Sequence, residues 1–248
     1  MRRWAVAALC CVALSGAPAG RTEILYWSNF DSERLGSLPT GWEKLWDGTT
    51  TASVIREPGN AANYVLSSSD LAHDKSRHDV GGSIFGVGDE TWTDYVVIYD
   101  ALFPVDFYMG VLFRYTDEAN FYLFDRRSGA EAGTFDFWHQ SDGWNRLGTG
   151  QYDARPREWH TFMLSIQGDR FEAYAYSWAE GSGQVDGVPF ESADPIATGS
   201  DASLAAGPFA LYGLIYIDNL IVAEELYDLG STVRPAGKLT TTWAAARR

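Results

Sequence analysis

Four runs of alternating apolar and polar residues constrain the fold of this chain more than any other feature. They cover residues 95–103, 108–115, 121–125 and 216–222. A period of two is that of a β-strand, in which successive side chains point to opposite faces. No stretch combines a sustained helical period with a cap. We therefore predict an all-β fold, a two-sheet antiparallel sandwich of the jelly-roll type.

Shorter segments that are rich in β-branched and aromatic residues predict additional strands, separated by Asp, Asn, Gly and Pro turns. These segments are 24–27, 54–56, 64–66, 134–139, 160–167 and 170–178. The Gly-, Ser- and Asp-rich segment 181–206 is expected to be a long loop. Such a loop either borders a binding face or is a tolerated insertion.

The N-terminus has the features of an export signal. Arg2 and Arg3 precede the apolar stretch 4–14, and small residues at 17–19 supply a cleavage site. The apolar stretch is too short to span a bilayer, and no later segment approaches the roughly 20 apolar residues required. We predict a signal peptide over 1–20, no membrane span, and a secreted or periplasmic protein.

The remainder of the chain is predicted to be one domain and a tail. Residues 21–228 suit a single sandwich, and 229–248 form a tail that carries only basic charges. Both cysteines, Cys10 and Cys11, lie in the predicted signal, so the domain depends on its core rather than on disulfides.

Charge and aromatic content bear on the partner. The formal net charge of −14 disfavours nucleic acid and anionic membranes, and it is compatible with neutral glycans, cationic partners and calcium. The chain contains 10 Trp, 13 Tyr and 13 Phe. These rings either fill the space between two sheets or offer flat surfaces on which sugars pack.

Four short motifs follow one another along the predicted strands. They are Trp-x-Asp-Tyr at 92–95, Gly-x-x-x-Arg-Tyr at 110–115, Asn-x-Tyr at 120–122 and Asp-Asn-x-x-Val at 218–222. In order and content they resemble the concanavalin A-like lectin/glucanase superfamily, especially its laminin-G-like bacterial members. The resemblance covers about 24–225 and implies a sandwich with a sugar-facing sheet.

Arg114 is the first candidate for ligand binding. Strict alternation along its strand places Leu112 and Arg114 on the face of Tyr108, opposite Phe113 and Tyr115. In proteins that this chain resembles, such an arginine lines the concave sheet, where its guanidinium hydrogen-bonds two sugar hydroxyls.

Tyr122 on the neighbouring strand is predicted to border the same groove as Arg114. The alternative is that Arg114 forms an ion pair with Asp125 or Glu172 and has a structural role.

Two further aromatic sets are candidates. Tyr174, Tyr176 and Trp178 form a stripe of period two, which either offers a glycan platform or lies under a loop. Trp138 and Trp144 flank one turn, where they either stack on sugars or pack together as a local cluster. The predicted ligand-binding residues are Arg114, Tyr108, Tyr122, Trp138, Trp144, Tyr176 and Trp178.

The resemblance also implies a structural calcium ion that joins the N-terminal segment 29–31 to the last strand, through Asp31 and Asp218. Carboxylate and backbone oxygens are the ligands that calcium prefers. The alternative is that one aspartate is a surface residue and the other forms a turn.

No catalytic residue is predicted. The Glu-x-Asp-x-x-Glu strand motif of the glucanase branch is absent, as are a Gly-x-Ser-x-Gly elbow and a phosphate-binding glycine loop. The nearest carboxyl candidates are Asp125, Glu131 and Asp136, whose spacing is not diagnostic of a glycosidase pair.

We therefore predict an exported, lectin-like module that binds a polysaccharide or glycoconjugate in a groove on one sheet. One alternative is a glycoside hydrolase of a related bacterial family. The other is a laminin-G-like adhesive or structural module with a protein partner. The first predicts facing carboxylates, and the second predicts calcium-dependent binding to a protein.

Overall fold

The computed structural model describes residues 23–48, 50–69, 83–177 and 194–225. Within these ranges the chain forms strands and a single 3-10 turn at Gly129–Glu131. The strands are β1 (Ile24–Ser28), β2 (Trp42–Trp46), β3 (Thr51–Glu57), β4 (Asn60–Ser69), β5 (Ile84–Val87), β6 (Tyr95–Leu102), β7 (Met109–Asp117), β8 (Asn120–Arg126), β9 (Thr134–Gln140), β10 (Trp144–Gln151), β11 (Trp159–Gln167), β12 (Arg170–Ser177), β13 (Ala197–Ser200), β14 (Phe209–Tyr212) and β15 (Tyr216–Ala223).

The strands form two antiparallel sheets. The eight-stranded sheet has the order β13-β12-β11-β6-β15-β4-β3, with β1 also paired to β15, and the seven-stranded sheet has the order β10-β9-β8-β7-β14-β5-β2. The predicted two-sheet jelly-roll sandwich is thus confirmed. The predicted signal peptide 1–20 and tail 229–248 lie outside the described residues.

The space between the sheets is filled largely by aromatic rings. Phe113 of β7 meets Phe171 of β12 with ring centroids 4.9 Å apart, and Phe124 meets Phe137 at 4.8 Å. Tilted and edge-to-face contacts of this kind are favoured by the charge distribution of the rings. Much of the aromatic content therefore stabilises the core.

A bulge in β7 overturns the predicted facing of Arg114. Its backbone has φ +46°, and the β7–β8 register shifts between Phe113 and Asp117. An extra residue of this kind reverses the faces of the residues that follow it. Arg114 consequently lies 5.7 Å from the centre of the Phe171 ring on the core side, whereas Tyr115 packs with Leu112 on the opposite face. The prediction of strict alternation was wrong from Arg114 onward.

One edge of the sandwich is closed by β10 and β13, which belong to different sheets. A Cβ atom on Gly148 would overlap the carbonyl oxygen of Thr198, and one on Gly150 would overlap that of Ile196. The segment 181–206, predicted to be a loop, forms β13 at Ala197–Ser200. The prediction missed this strand because four residues are too few to show a period.

Gly148→Ala is expected to lower the free energy of unfolding by about 1–3 kcal/mol, because the added methyl group forces β10 away from β13. Urea-induced unfolding measures this loss. Thr149→Ala, at an exposed position on the same strand, provides the control. Equal stability of the two variants would show that the two edges are not in close contact.

Candidate functional site

The face of the seven-stranded sheet that points away from the core, called the outer face below, carries a second apolar layer. Leu112, Phe121 and Leu123 are buried there, although they alternate with residues that point into the core. Half-buried rings of Trp144 and Tyr212 pack over them. A second apolar face on a sandwich sheet is a feature of sheets that are covered or that bind a ligand.

Three partly buried rings run across this face. Trp144 lies 6.1 Å from Trp138 and 6.3 Å from Tyr212, both with edge-to-face geometry. Trp138 belongs to β9 and Trp144 begins β10, so the tight β9–β10 hairpin brings the two indoles together. This contact corresponds to the local cluster that was one of the two alternatives for these residues, and the stacking of sugars on them stays a prediction.

Two guanidinium groups flank the indole of Trp138. Arg127 lies 5.0 Å from its ring centre and 4.2 Å from that of Tyr108, and Arg146 lies 4.7 Å from the Trp138 ring. Cation–π contacts of this kind fix the plane of a guanidinium against a ring. The outer face thus presents an indole together with two oriented hydrogen-bond donors.

Two buried carboxylates hold these groups in place. Asp125 and Asp136 are direct partners across β8 and β9, and each side chain is 1% exposed. Arg127 pairs with Asp125 at 3.0 Å and with Asp136 at 3.3 Å, and Arg146 pairs with Asp136 at 3.1 Å. The indole Nε1 of Trp138 donates to Asp125 Oδ1 at 3.0 Å.

Glu131, on the 3-10 turn between β8 and β9, completes this network. Its carboxylate accepts from Arg127 at 3.1 Å and from Arg146 at 3.0 Å. These hydrogen bonds lower the pKa of Glu131. We call the six residues the outer-face cluster: Asp125, Arg127, Glu131, Asp136, Trp138 and Arg146.

Burial raises the pKa of Asp125 to about 7, although the charge and hydrogen bond of Arg127 act in the opposite direction. The cost of desolvating a carboxylate therefore exceeds the gain from its partner. With three carboxyl groups and two guanidinium groups, the outer-face cluster changes from near neutral to negative as Asp125 ionises.

Asp125→Asn is expected to alter the pH dependence of stability. A carboxyl whose pKa is raised on folding binds its proton more tightly in the folded state, so its ionisation lowers the free energy of unfolding between about pH 4 and about pH 7. Relative to the wild type, the variant should gain up to about 4 kcal/mol across this range. Urea unfolding at a series of pH values measures the difference. Asp142→Asn on the exposed hairpin turn is the control, and a difference that does not vary with pH would contradict the assignment.

Arg114 lies inside the sandwich, with a side chain that is only 2% exposed. Its Nε donates to Thr93 O at 3.0 Å, its Nη1 to Gly168 O at 2.7 Å and Leu204 O at 3.1 Å, and its Nη2 to Asp94 Oδ1 at 3.1 Å. The ion-pair partner is thus Asp94, rather than Asp125 or Glu172. This geometry ties loops together and leaves Arg114 away from the outer face.

Tyr122 is also fully buried, and its hydroxyl donates to Asp201 Oδ1 at 2.5 Å. Tyr174 packs on Val96 and Met163, on the outward side of the eight-stranded sheet. Tyr176 lies on the same strand, β12, and Trp178 is outside the described residues. Of the predicted binding residues, the outer face therefore brings together Tyr108, Trp138 and Trp144.

Arg127 and Arg146 were missed by the sequence interpretation. The alternation of Phe121, Leu123 and Asp125 extends to Arg127, so a period of two was the available signal for that residue. Arg146 lies on β10, where glycines obscure the strand pattern.

The carboxylates proposed to bind calcium are already occupied by protein donors. Asp218 accepts from Asn63 Nδ2 at 2.9 Å and from the backbone N–H of Asn219 at 2.7 Å, and Asp31 accepts from the backbone N–H of Tyr64 at 3.3 Å. Burial, reinforced by the charges of Asp100 and Asp31, raises the pKa of Asp218.

In the described part of the chain, no group of three or more His, Cys, Asp or Glu side chains is arranged to hold a metal ion. The donors around Asp218 fit an amide-bonded cluster better than a calcium site. Calcium binding at Asp31 and Asp218 stays a prediction.

No protein-family model matches the chain, and no curated protein matches it. Several solved structures are similar in fold. A Bacillus subtilis protein of unknown function with a galectin-like fold is 14% identical, with a TM-score of 0.51 over 82% of this chain and 98% of that one. Domain 4 of AbnA, a GH43 extracellular arabinanase from Geobacillus stearothermophilus in complex with arabinotriose, is 13% identical, with a TM-score of 0.50 over 83% of this chain and 94% of that one.

A xylan β-1,4-xylosidase from Bacillus halodurans C-125 is 11% identical, with a TM-score of 0.52 over 85% of this chain but only 41% of that enzyme. At these identities the likeness concerns the fold, a β-sandwich found both alone and as part of longer chains. Among the described residues, no helix has the length and apolar character needed to cross a membrane.

Proposed function

We propose that the protein is an exported carbohydrate-binding module that holds a neutral glycan on the outer face of the seven-stranded sheet. The observation that carries this proposal is the partly buried indole of Trp138, which contacts Arg127 and Arg146 and is hydrogen-bonded to Asp125. Trp144 and Tyr212 extend the surface on one side, and Tyr108 lies on the other.

Stacking supplies the affinity in this proposal. The C–H face of a sugar ring packs on an indole in the same way as other apolar surfaces, and edge contacts between rings leave each ring partly open to a ligand. Because Trp138 is already held by its neighbours, little side-chain entropy is lost when a ligand packs on it.

Arg146 and Glu131 supply the polar contacts in this proposal. Their side chains are 40% and 41% exposed, which leaves N–H and carboxylate oxygen groups within reach of sugar hydroxyls. Hydrogen bonds from such charged groups orient a ligand more strongly than those from neutral groups.

The charge of the site favours a neutral glycan. Three carboxyl groups surround the two guanidinium groups of the outer-face cluster, and the chain as a whole has a net charge of −14. A polymer of uronic acids would approach a surface of its own sign, which slows association and weakens binding.

Export and the assignment to the concanavalin A-like superfamily are parts of the same proposal. The export signal predicted over 1–20 supports the first, and the four motifs together with the sandwich fold support the second. The likeness to an arabinanase domain described in complex with arabinotriose supports the choice of a carbohydrate as ligand.

The proposal can be tested by isothermal titration calorimetry, which measures binding of the purified protein to soluble polymers. The polymers are arabinan, xylan, mixed-linkage β-glucan and polygalacturonate. We expect saturable binding to at least one of the three neutral polymers and none to polygalacturonate. Binding to polygalacturonate alone, or to none of the four, would contradict the proposal.

A glycoside hydrolase is the second candidate, and one observation favours it. Asp125 and Asp136 are cross-strand partners, and residues directly opposite each other have Cβ atoms about 4.5–5.5 Å apart, close to the carboxyl separation of about 5–5.5 Å in retaining pairs. Both are buried under Arg127 and Trp138, which favours a supporting role. Release of reducing ends from the same neutral polymers, abolished in Asp136→Asn with binding retained, would establish the hydrolase instead.

A further inference from the structure

An open cavity of about 680 Å³ lies at one end of the sandwich, and none of the outer-face rings named above lines it. It is bordered by the end of β8, the turn before β9, the end of β10 and the segment that follows β10. The lining residues are Asp106, Arg126, Ala132, Gly133, Gln151, Tyr152, Asp153 and Pro156. Its volume is within the range of small-molecule sites in proteins.

Arg126 gives this cavity a fixed polar group. Its side chain is 5% exposed, and its Nε donates to Ala154 O at 2.9 Å. Its Nη1 donates to Asp106 Oδ1 at 2.8 Å and to Phe107 O at 3.3 Å, and the guanidinium lies 5.8 Å from the Phe103 ring centre. Nη2 of Arg126 donates to no acceptor among the described residues. It is also not one of the fully buried polar atoms without a partner, so it is accessible. Arg126 therefore lines the cavity with a guanidinium that is held by two of its nitrogens and keeps the third for a ligand.

Tyr152 adds an aromatic side chain to the lining, with its hydroxyl already engaged. The hydroxyl of Tyr152 lies 2.9 Å from His160 Nδ1, and its ring packs at 5.9 Å from Phe162 and 6.1 Å from Phe135. Burial raises the pKa of Tyr152, so the phenol stays neutral. These contacts fix the position of the half-buried ring in the lining of the cavity.

The charges around the cavity nearly balance. Arg126 is paired with Asp106, and Asp153 is paired with Arg155 at 3.1 Å. Both lining carboxylates are more than half exposed, so each keeps oxygen atoms for further hydrogen bonds. An anionic ligand would face two carboxylates, whereas a neutral polyhydroxyl compound finds donors and acceptors together with an aromatic wall.

We propose that this end cavity binds a single neutral sugar unit, at a site separate from the outer-face cluster. The turn between β8 and β9 divides the two: Glu131 belongs to the outer-face cluster, and the next two residues, Ala132 and Gly133, line the cavity. Arg126 and Arg127, neighbours in sequence, likewise serve the two different sites. The cavity does not depend on the function proposed for the outer face.

This site can be tested by saturation-transfer difference NMR at millimolar sugar concentration. The neutral sugars are D-glucose, D-galactose, D-xylose, L-arabinose and D-fructose, and the anionic one is D-glucuronate. We expect a saturable signal from at least one neutral sugar. Absence of signal from all five, or stronger binding of glucuronate, would overturn the proposal.

Ala132→Tyr locates the site, because Ala132 is exposed and lines the cavity, so a phenol there obstructs part of it without disturbing the core. Ala119→Tyr, in the exposed turn at the other end of β8, is the matched control. The monosaccharide signal should be lost in Ala132→Tyr and retained in both Ala119→Tyr and Trp138→Ala. A signal that persists in Ala132→Tyr would overturn the proposal.

Arg126→Lys tests the donor. A lysine keeps the positive charge but lacks the planar guanidinium, which donates to Ala154 O and Asp106 through Nε and Nη1 and keeps Nη2 for a ligand. We expect weaker monosaccharide binding with unchanged polysaccharide binding. If polysaccharide binding by the outer face fails in the wild type while this signal is present, the function proposed for the outer face is overturned and the end cavity stands.

Discussion

Arg114→Met is expected to lower the free energy of unfolding by about 3–5 kcal/mol, because three backbone carbonyl oxygens lose their donor at about 1–3 kcal/mol each, while the half-exposed Asp94 carboxylate stays solvated. The guanidinium satisfies the carbonyl oxygens of Thr93, Gly168 and Leu204, which come from three separate loops. Buried acceptors that lose their donor carry the full cost of desolvation. Methionine preserves much of the side-chain volume, so the loss reports hydrogen bonding rather than a cavity.

Urea unfolding of Arg114→Met measures this loss, and Arg34→Met is the control because Arg34 is exposed. The Asp94 carboxylate, which also accepts from the backbone N–H of Gly168, should become more mobile in the variant. Equal stability of the two variants would show that Arg114 does not tie these loops together.

Trp138→Ala is expected to weaken glycan binding by about 2 kcal/mol, or about 30-fold in the dissociation constant. The substitution removes the ring on which the sugar is proposed to stack, and it also removes the surface against which Arg127 and Arg146 are aligned. The variant therefore loses both the stacking of the sugar on the indole and the orientation of the two guanidinium groups. Isothermal titration with the neutral polymer that the wild type binds measures the change.

Trp159→Ala is a matched control for Trp138→Ala. Trp159 is also half-buried and also donates from Nε1 to a carboxylate, Glu57 Oε1 at 2.7 Å, but it belongs to the eight-stranded sheet. The two variants should lose similar stability, and only Trp138→Ala should lose affinity. An equal loss of affinity in both would point to a general effect on folding rather than to the outer face.

The fold could be predicted from the sequence because long strands display their period. The run at Tyr95–Leu102 alternates over eight residues, with Tyr95, Val97, Tyr99 and Ala101 in the core, which suffices to define two faces. In Tyr216–Ala223 a bulge at Asn219 interrupts the alternation. The missed strands are short, such as Ile84–Val87 and Phe209–Tyr212, or interrupted by glycine, such as Trp144–Gln151. Pairing with long neighbours, which is invisible in the sequence, stabilises them.

The candidate site was predicted only in part, and the physical reason differs between residues. Trp138 and Trp144 flank a tight turn, so their proximity follows from local sequence. Arg114 carries a positive φ that moves it to the core side, and no local pattern marks that bulge. Asp125 and Asp136 come together through the register of β8 and β9, which the length of the intervening turn does not determine.

Whether the glycan lies on the outer face can be measured from the indole N–H signals of a ¹⁵N-labelled sample, assigned with single Trp→Phe variants and followed during titration with the neutral polymer that binds. We predict that the signals of Trp138 and Trp144 shift with one common saturation curve, while those of Trp42 in the core and Trp159 on the eight-stranded sheet stay in place. A shift of the Trp159 signal with those of Trp138 and Trp144 unchanged would contradict binding on the outer face and place the glycan on the other sheet.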